Sequence, residues 1–201
     1  MSRARSKVRL SRALGIALTP KAARSLERRP YPPGQHGRRR RVTSDYKARL
    51  LEKQRLRAQY DLSEAQLRLA LARAARGGGM TGEALVVDLE SRLDALVLRS
   101  GFARTIYQAR QAVSHGHVTV DGRKVDRPSY RLRPGEVIAI APASRAKTPF
   151  AIAAAGEHAA AVPAYLDVDI EALSARLVRL PERSEIPVVC DERLVVEFYS
   201  R

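Results

Sequence analysis

The side chains with the clearest chemical potential lie between positions 104 and 124 of the 201-residue chain. They supply guanidinium, amide, hydroxyl, imidazole and ammonium groups, at Arg104, Gln108, Gln111, Ser114, His115, Arg123 and Lys124. Such groups on a small rigid body suit contacts to the phosphates and 2′-hydroxyls of structured RNA. The few neighbouring aromatic rings, Phe102, Tyr107 and Tyr130, offer no platform for stacked single-stranded bases. The expected chemistry is recognition of shape and backbone.

The sequence contains no constellation of catalytic residues. It lacks a Gly-x-Ser-x-Gly nucleophile elbow, and its one thiol, Cys190, lies between Val189 and Asp191 with no adjacent cation to activate it. A lone cysteine also excludes an intramolecular disulfide. No two of the four histidines have i, i+4 spacing, and no thiolate cluster accompanies them, at His36, His115, His117 and His158. We therefore expect no enzyme activity, no cofactor and no bound metal.

The net charge of +16 is concentrated in two zones of the chain. Residues 1–60 carry 18 Lys and Arg against three acidic residues, and residues 92–133 carry nine against three. The intervening and following stretches are slightly acidic. Segregated basic zones indicate surfaces directed at a polyanion such as nucleic acid. No apolar run approaches the roughly 20 residues needed to cross a bilayer, so a cytoplasmic protein without a membrane partner is expected.

Residues 1–43 are expected to form an extended basic arm with one short helix. Thr19 followed by Pro20 is typical of a helix start, predicting a helix over residues 21–28 that ends before Pro30. Residues 31–37 are rich in Pro and Gly and predict a turn or loop. Four consecutive arginines at 38–41 then repel one another. We expect residues 1–41 to be largely mobile in the free protein.

A helical lobe is expected over residues 44–90. Ser44 can cap a helix that runs to about Tyr60, and the Ser63–Gln66 capping box starts a second helix. Gly77-Gly78-Gly79 then forms a flexible connection. Leucines at helical spacing predict one further helical stretch from Thr81 to about Ser100.

Residues 91–140 are expected to form a compact module of helix, helix, β-hairpin and strand. Thr105 starts a helix that Gly116 ends, after which the hydrophobic period changes to two, with Asp121-Gly122 as the hairpin turn. The last strand covers 136–140. Residues 141–164 are expected to be a variable loop. Residues 165–201 are expected to pack on the helical lobe, with a short helix at Asp169–Leu173 and a closing strand at Leu194–Tyr199. The predicted fold class is α+β.

Several motifs resemble a known family. The stretches 91–94, 101–105, 108–111 and 113–118 are similar to the RNA-binding module named after small-subunit ribosomal protein four. The remainder resembles the bacterial-type ribosomal protein four family itself, at 7–12, 33–37, 44–46, 51–57, 81–83, 179–183 and 196–201. Many relatives hold zinc through four N-terminal cysteines, which this chain lacks, so it is similar to the zinc-free form.

The resemblance implies a structural constituent of the small ribosomal subunit. Such a primary assembly protein binds the 5′ domain of 16S rRNA near the mRNA entry channel and influences translational accuracy. The implied partners are 16S rRNA, mRNA and small-subunit proteins five and three, without a homo-oligomer. The expected rRNA-binding residues are Arg3, Arg5, Lys7, Arg9, Arg12, Arg92, Arg104, Thr105, Gln108, Arg110, Gln111, Ser114, His115, Arg123 and Lys124. The expected mRNA-entry residues are Arg38, Arg39, Arg40 and Arg41.

Two other functions use the same module. An RNA-modifying enzyme would need a separate catalytic domain with an acidic nucleophile, and about 60 residues of tail cannot supply one. A free-standing RNA chaperone would not need the basic arm and the tail motifs. Recovery in small subunits after a high-salt wash separates the ribosomal function from both alternatives.

Overall fold

The computed structural model describes residues 6–38, 44–158 and 161–200. The chain divides into two compact units, one formed by Met1–Leu67 with Val188–Arg201 and the other by Arg68–Pro187. The helices are α1 Lys7–Leu14, α2 Pro20–Arg28, α3 Asp45–Gln59, α4 Glu64–Ala74, α5 Thr81–Glu90, α6 Leu93–Arg99, α7 Ile106–Ser114, α8 Pro142–Arg145, α9 Thr148–Ala154 and α10 Glu192–Tyr199. The strands are β1 Val118–Val120, β2 Arg123–Lys124, β3 Val137–Ile140, β4 Leu166–Asp169 and β5 Ser174–Leu177, and a 3₁₀ turn covers Arg183–Glu185. The expected α+β class is confirmed.

The long helix α3 organises the first unit. Ser44 caps it as predicted, because the Ser44 hydroxyl accepts a hydrogen bond from the backbone N–H of Lys47. Leu56 on α3 and Tyr60 at its C-terminal end are buried. The Ser63–Gln66 capping box at the start of α4 is also confirmed, with both reciprocal hydrogen bonds present.

Buried charges join α3 to its neighbours in the same unit. Lys53 is almost fully buried, lies 3.1 Å from Glu64 and places its ammonium 4.4 Å from the ring centre of Phe198. Glu52 accepts hydrogen bonds from Arg55 and from the backbone N–H of Asp191. A buried ion stays charged at tolerable cost only when it is paired in this way. These contacts fix α10 against α3.

The N-terminal segment contains a helix where an extended arm was predicted. Residues 7–14 form α1, which packs on α2 and α3 and ends at Gly15 in a left-handed conformation (φ 69°). Ser11 is fully buried, and its hydroxyl accepts a hydrogen bond from the N–H of Leu18. The high charge density obscured this helix in the sequence, because only its buried side shows the helical spacing of apolar residues. The predicted helix at 21–28 is confirmed, with Thr19 as its cap.

The C-terminal segment forms helix α10, so the predicted closing strand at 194–199 is wrong. Its run of apolar and β-branched residues is typical of a strand, but Asp191 accepts hydrogen bonds from the N–H groups of Arg193 and Leu194 and so caps a helix. Val195 is then fully buried. Packing against α3 outweighs the local β propensity.

A five-stranded antiparallel sheet, in the order β2-β1-β3-β5-β4, forms the second unit together with α5–α9. The predicted hairpin is confirmed: Asp121 and Gly122 both have positive φ, as a type I′ turn requires. Behind the sheet, the apolar side chains of α6 and α7 complete one core, which includes Leu93, Leu96, Phe102, Val113, Val118 and Ile140. The sheet therefore provides a rigid base for α7 and the hairpin.

The helical stretch predicted from 81 to 100 is two helices. Backbone pairing interrupts it: the N–H of Leu93 donates to the carbonyl of Tyr130 at 2.7 Å, and the N–H of Leu132 donates to the carbonyl of Ser91 at 2.9 Å. Arg92 at the break has extended backbone (φ −70°, ψ 144°). This pairing is long-range, so helical spacing alone could not reveal it.

Two further predictions about the tail are wrong. Asp169 ends β4 and residues 170–173 form the turn to β5, in which Asp169 accepts a hydrogen bond from the N–H of Ala172 and Leu173 has a positive φ. Because β5 pairs with β3, this part of the tail belongs to the sheet of the second unit and not to the helical lobe. Within the expected loop at 141–164, α8 and α9 form because Phe150 and Ala153 join the core.

Candidate nucleic-acid interface

Helix α7 presents most of the predicted polar side chains along one face. Thr105 caps the helix by accepting a hydrogen bond from the N–H of Gln108, and Gln108 accepts one from the N–H of Arg104 at 3.0 Å. Arg104, Gln108, Gln111 and His115 follow each other by three or four residues and so share a face of the helix. Arg104, Gln111, Ser114 and His115 are exposed. The sequence therefore identified an ordered polar stripe correctly.

The β-hairpin places the cation of Lys124 against the loop at the end of that stripe. Arg123 and Lys124 on β2 are both exposed. The side chain of Lys124 crosses Gly116, where a methyl group would overlap its Cε atom. Gly116 also has a φ of 72°, in the left-handed region. A glycine at this position thus lets Lys124 lie against the loop that follows α7.

Arg92 does not belong to this surface, which corrects the sequence prediction. Its side chain is about 2% exposed and donates to both carboxylate oxygens of Asp94, from Nε at 2.9 Å and from a terminal nitrogen at 2.7 Å. A guanidinium held bidentately in the interior has no access to RNA. Burial raises the pKa of Asp94, against the opposing effect of Arg92.

Arg110 faces the same carboxylate from α7. One of its terminal nitrogens lies 3.7 Å from an oxygen of Asp94, and the side chain is 29% exposed. Thr105 is half-buried and uses its hydroxyl as a helix cap. Both residues thus hold the module together, and Arg110 keeps part of its guanidinium at the surface.

The first unit has a separate basic groove between α1 and α2. Its open volume is about 550 Å³ and its lining includes Arg12, Lys21, Arg24, Arg28 and Arg29. The spacing of Lys21, Arg24 and Arg28 places three cations on one face of α2. The i, i+3, i+7 spacing of these cations within the predicted helix at 21–28 is a signal that the sequence already contains.

The predicted cations of α1 differ in their accessibility. Arg9 is exposed, and Lys7 is partly exposed with its ammonium 3.8 Å from Asp61. Arg12 donates from Nε to the carbonyl of Tyr31 at 3.1 Å, so it also fixes the following loop. Arg3 and Arg5 lie outside the described residues.

Arg38 is the one expected mRNA-entry residue that falls within the described part of the chain. Its guanidinium lies 5.0 Å from the ring centre of Tyr31 and donates to the Tyr31 hydroxyl at 3.2 Å, which lowers the pKa of that hydroxyl. A hydrogen bond from Gly37 to the carbonyl of Gly34 closes the preceding turn. Arg39, Arg40 and Arg41 lie outside the described residues.

The described residues contain no group of three or more His, Cys, Asp or Glu side chains placed to hold a metal ion. In the same part of the chain, no helix has both the length and the apolar character needed to span a membrane.

Comparison with known proteins accounts for almost the entire chain. Residues 3–90 match the model of the ribosomal protein S4/S9 N-terminal domain, and residues 91–138 match the S4 domain. The chain is 65% identical to small ribosomal subunit protein uS4 of Beutenbergia cavernae, over 99% of this chain and 98% of the relative.

Other relatives agree over their full length. The chain is 61% identical to uS4 of Streptomyces griseus, over 100% of this chain and 99% of the relative. It is 63% identical to uS4 of Paenarthrobacter aurescens, over 100% of this chain and 98% of the relative. These relatives are structural proteins, which confirms the expectation of a non-enzymatic protein. The chain therefore belongs to the uS4 family of small ribosomal subunit proteins.

Proposed function

We propose that this protein is a primary assembly protein of the small ribosomal subunit that binds the 5′ domain of 16S rRNA. The observation that carries the proposal is the exposed stripe on α7, which ends beside Lys124 of the hairpin, with Arg123 exposed on the same strand. Its groups match phosphate and 2′-hydroxyl chemistry. The basic groove of the first unit adds cations that suit a second stretch of phosphate backbone.

The test measures binding of the full chain to a transcribed 5′-domain fragment over a range of salt concentrations. Each phosphate contact adds about 0.7–0.9 to the slope of log affinity against log salt. Substitution of Arg104, Arg123 or Lys124 by Ala is expected to cost about 1 kcal/mol each and to lower that slope. Arg76, an exposed cation just beyond α4 and outside both basic zones of the sequence, serves as the matched control. Unchanged affinity in all three variants would contradict the proposed RNA-binding face.

The groove of the first unit requires its own variants. Arg24→Ala and Arg28→Ala on α2 are expected to lower the salt slope in the same way, because both side chains line the groove. Arg193→Ala, an exposed cation on α10 in the same unit, is the control. Equal effects of the groove and control variants would indicate general charge attraction and no defined site.

Arg38–Arg41 are proposed to face mRNA at the entry channel and so to influence accuracy. The support is the exposed position of Arg38 beside a closed turn. Replacing Arg39 and Arg40 by Ala is expected to leave subunit assembly normal and to slow translation through a stable mRNA hairpin. Failed assembly with normal passage would instead indicate an rRNA anchor.

Cytoplasmic small subunits are the proposed location, with small-subunit proteins five and three as neighbours. Sedimentation of a lysate is expected to recover the protein almost entirely in small subunits after a high-salt wash. Cross-linking of those subunits followed by mass spectrometry is expected to link it to both neighbours. Recovery of the protein in the free fraction would favour a chaperone.

A further inference from the structure

A small cavity opens beside the polar stripe of α7. Its volume is about 160 Å³, and its lining includes Gln111, Ala112, His115, His117, Lys147 and Phe150. These residues come from α7, the following loop and the start of α9. The cavity exists only because α9 folds against the module, within residues 141–164, which were expected to be a variable loop.

The inner part of the cavity is aromatic and firmly held. The rings of His117 and Phe150 meet edge to face, with centres 5.6 Å apart and planes at 70°. Phe150 is about 4% exposed and belongs to the core, while Nδ1 of His117 lies 2.9 Å from the hydroxyl of the buried Ser144. Rings fixed in this way offer a preformed apolar surface at little entropic cost.

The rim of the cavity is polar and available. Gln111 and Lys147 are exposed, and within the described residues neither side chain forms a hydrogen bond to another group. An amide can both donate to and accept from the edge of a base, and an ammonium can reach the adjoining phosphate. Burial, together with the charges of Lys147, His115 and Lys124, lowers the pKa of His117 and so favours the neutral ring.

Size restricts the occupant. Pockets for ordinary small-molecule ligands span about 300–1,000 Å³, so this cavity is too small for a whole nucleotide and suits a single planar ring system. RNA-binding proteins commonly read unstacked bases of loops and bulges by stacking them on rings and bonding to their edges. Lys124 lies against Gly116, and the backbone N–H of Arg104 donates to Gln108, a further residue of the cavity lining. Both cations are therefore near enough to hold the backbone that flanks the base.

We propose that this cavity receives one unstacked base of the bound rRNA, seated against His117 and Phe150 with Gln111 at its edge. The proposal rests on the proposed function, because it assumes that the α7 face binds rRNA. It adds a contact to a base where the sequence indicated recognition of shape and backbone alone.

The first experiment probes the 5′-domain fragment with dimethyl sulfate, kethoxal and carbodiimide, with and without the full-length protein. Wild type is expected to protect one unpaired base, and Gln111→Ala is expected to restore its reactivity. Thr148→Ala, an exposed α9 position next to Lys147 that does not line the cavity, is the matched control and is expected to keep the protection. Hydroxyl-radical cleavage of the backbone is expected to be the same in all three complexes.

The second experiment measures affinity against salt. Gln111→Ala and Phe150→Leu are expected to weaken binding about tenfold, as for loss of one stacked base, without changing the salt slope, since a base contact releases no counterions. Arg104→Ala is expected to lower the slope instead. An abasic nucleotide at the protected position should lower the affinity of the wild-type protein for the fragment about tenfold. The same abasic fragment should bind the Gln111→Ala variant nearly as well as the intact fragment does. Gln111 is exposed, so its variant tests the cavity even where Phe150→Leu lowers stability.

The outcomes distinguish the two proposals. If wild type binds the fragment and Arg104→Ala lowers the slope, but no base is protected and Gln111→Ala binds normally, the cavity proposal is wrong and the proposed function stands. If Gln111→Ala weakens binding but leaves every base as protected as in the wild-type complex, the rim contacts the RNA backbone and the base proposal is also wrong. If wild type does not bind the fragment at all, both proposals fail together.

Discussion

Arg92 forms a bidentate hydrogen bond with Asp94 in the interior of the second unit, at 2.9 and 2.7 Å, with both side chains almost completely buried. The pair spans the break between α5 and α6, where the chain leaves one helix and starts the next. Arg110 approaches the same carboxylate from α7. Two arginines that the motif suggested as RNA contacts thus converge on one buried acid.

Removal of Arg92 should therefore destabilise the fold. Arg92→Ala leaves buried Asp94 with only the longer contact to Arg110, and the free energy of unfolding is expected to fall by about 3–5 kcal/mol. Urea denaturation of the full chain measures this loss, and the exposed Arg123→Ala should stay within about 0.5 kcal/mol of wild type. A stable Arg92→Ala variant with weakened RNA binding would contradict the structural role.

Gly116 and Lys124 should show energetic coupling. Gly116→Ala introduces a methyl group in a left-handed conformation and against the Lys124 side chain. The conformational part alone is expected to cost about 1–2 kcal/mol, and displacement of Lys124 adds to it. In a Lys124→Ala background the steric part should disappear, which a double-mutant cycle of unfolding free energies detects. Additive costs would indicate that the two side chains do not meet.

Asp88 should make stability depend on pH in the acid range. Burial raises its pKa, but hydrogen bonds from Arg131 at 2.5 Å and Arg73 at 2.9 Å outweigh that effect and lower it. A carboxyl whose pKa is lower in the folded state stabilises the fold above its unfolded pKa of about 4 and loses that contribution as pH falls through the lower folded value.

The variant Asp88→Asn tests this linkage. It is expected to be about 2 kcal/mol less stable than wild type at pH 7, the scale of hydrogen bonds to a charged group, and the difference should shrink as the pH drops below about 4. Glu83→Gln, an exposed position on the same helix, should show no such trend. A constant difference from pH 7 to pH 2 would show that the ion pairs do not stabilise the fold.

Tyr31 should restrain Arg38 through its ring and its hydroxyl. A cation–ring contact at an exposed site contributes about 0.5–1 kcal/mol, so Tyr31→Ala should accelerate trypsin cleavage after Arg38 by about two- to fivefold. Tyr31→Phe retains the ring and should produce a smaller increase. Mass spectrometry identifies the cleaved bond, and cleavage after Arg76 in the same chain provides the internal reference. Equal rates in all three proteins would exclude the restraint.

The candidate site was predictable where short-range interactions decide the structure. The cap at Thr105, the hairpin turn at Asp121-Gly122 and the polar stripe of α7 each depend on residues a few positions apart, so their patterns are legible in the sequence. The family motifs add the function of the module. The two basic zones can likewise be recognised in the sequence by counting charged residues along the chain.

Contacts between distant segments decided the features of the fold and the site that the sequence did not predict. Arg92 and Lys147 are both cations in basic or mixed surroundings, and only the fold shows that the first is buried against Asp94 and the second borders an aromatic cavity. Helix α10 and the pairing of β5 with β3 overrode local propensity for the same reason. Local spacing determines which groups share a face of an element, whereas burial depends on segments that meet only after folding. The sequence therefore determined the chemistry of the α7 surface, and the tertiary structure determined which of its cations reach solvent and that a base-sized cavity lies beside them.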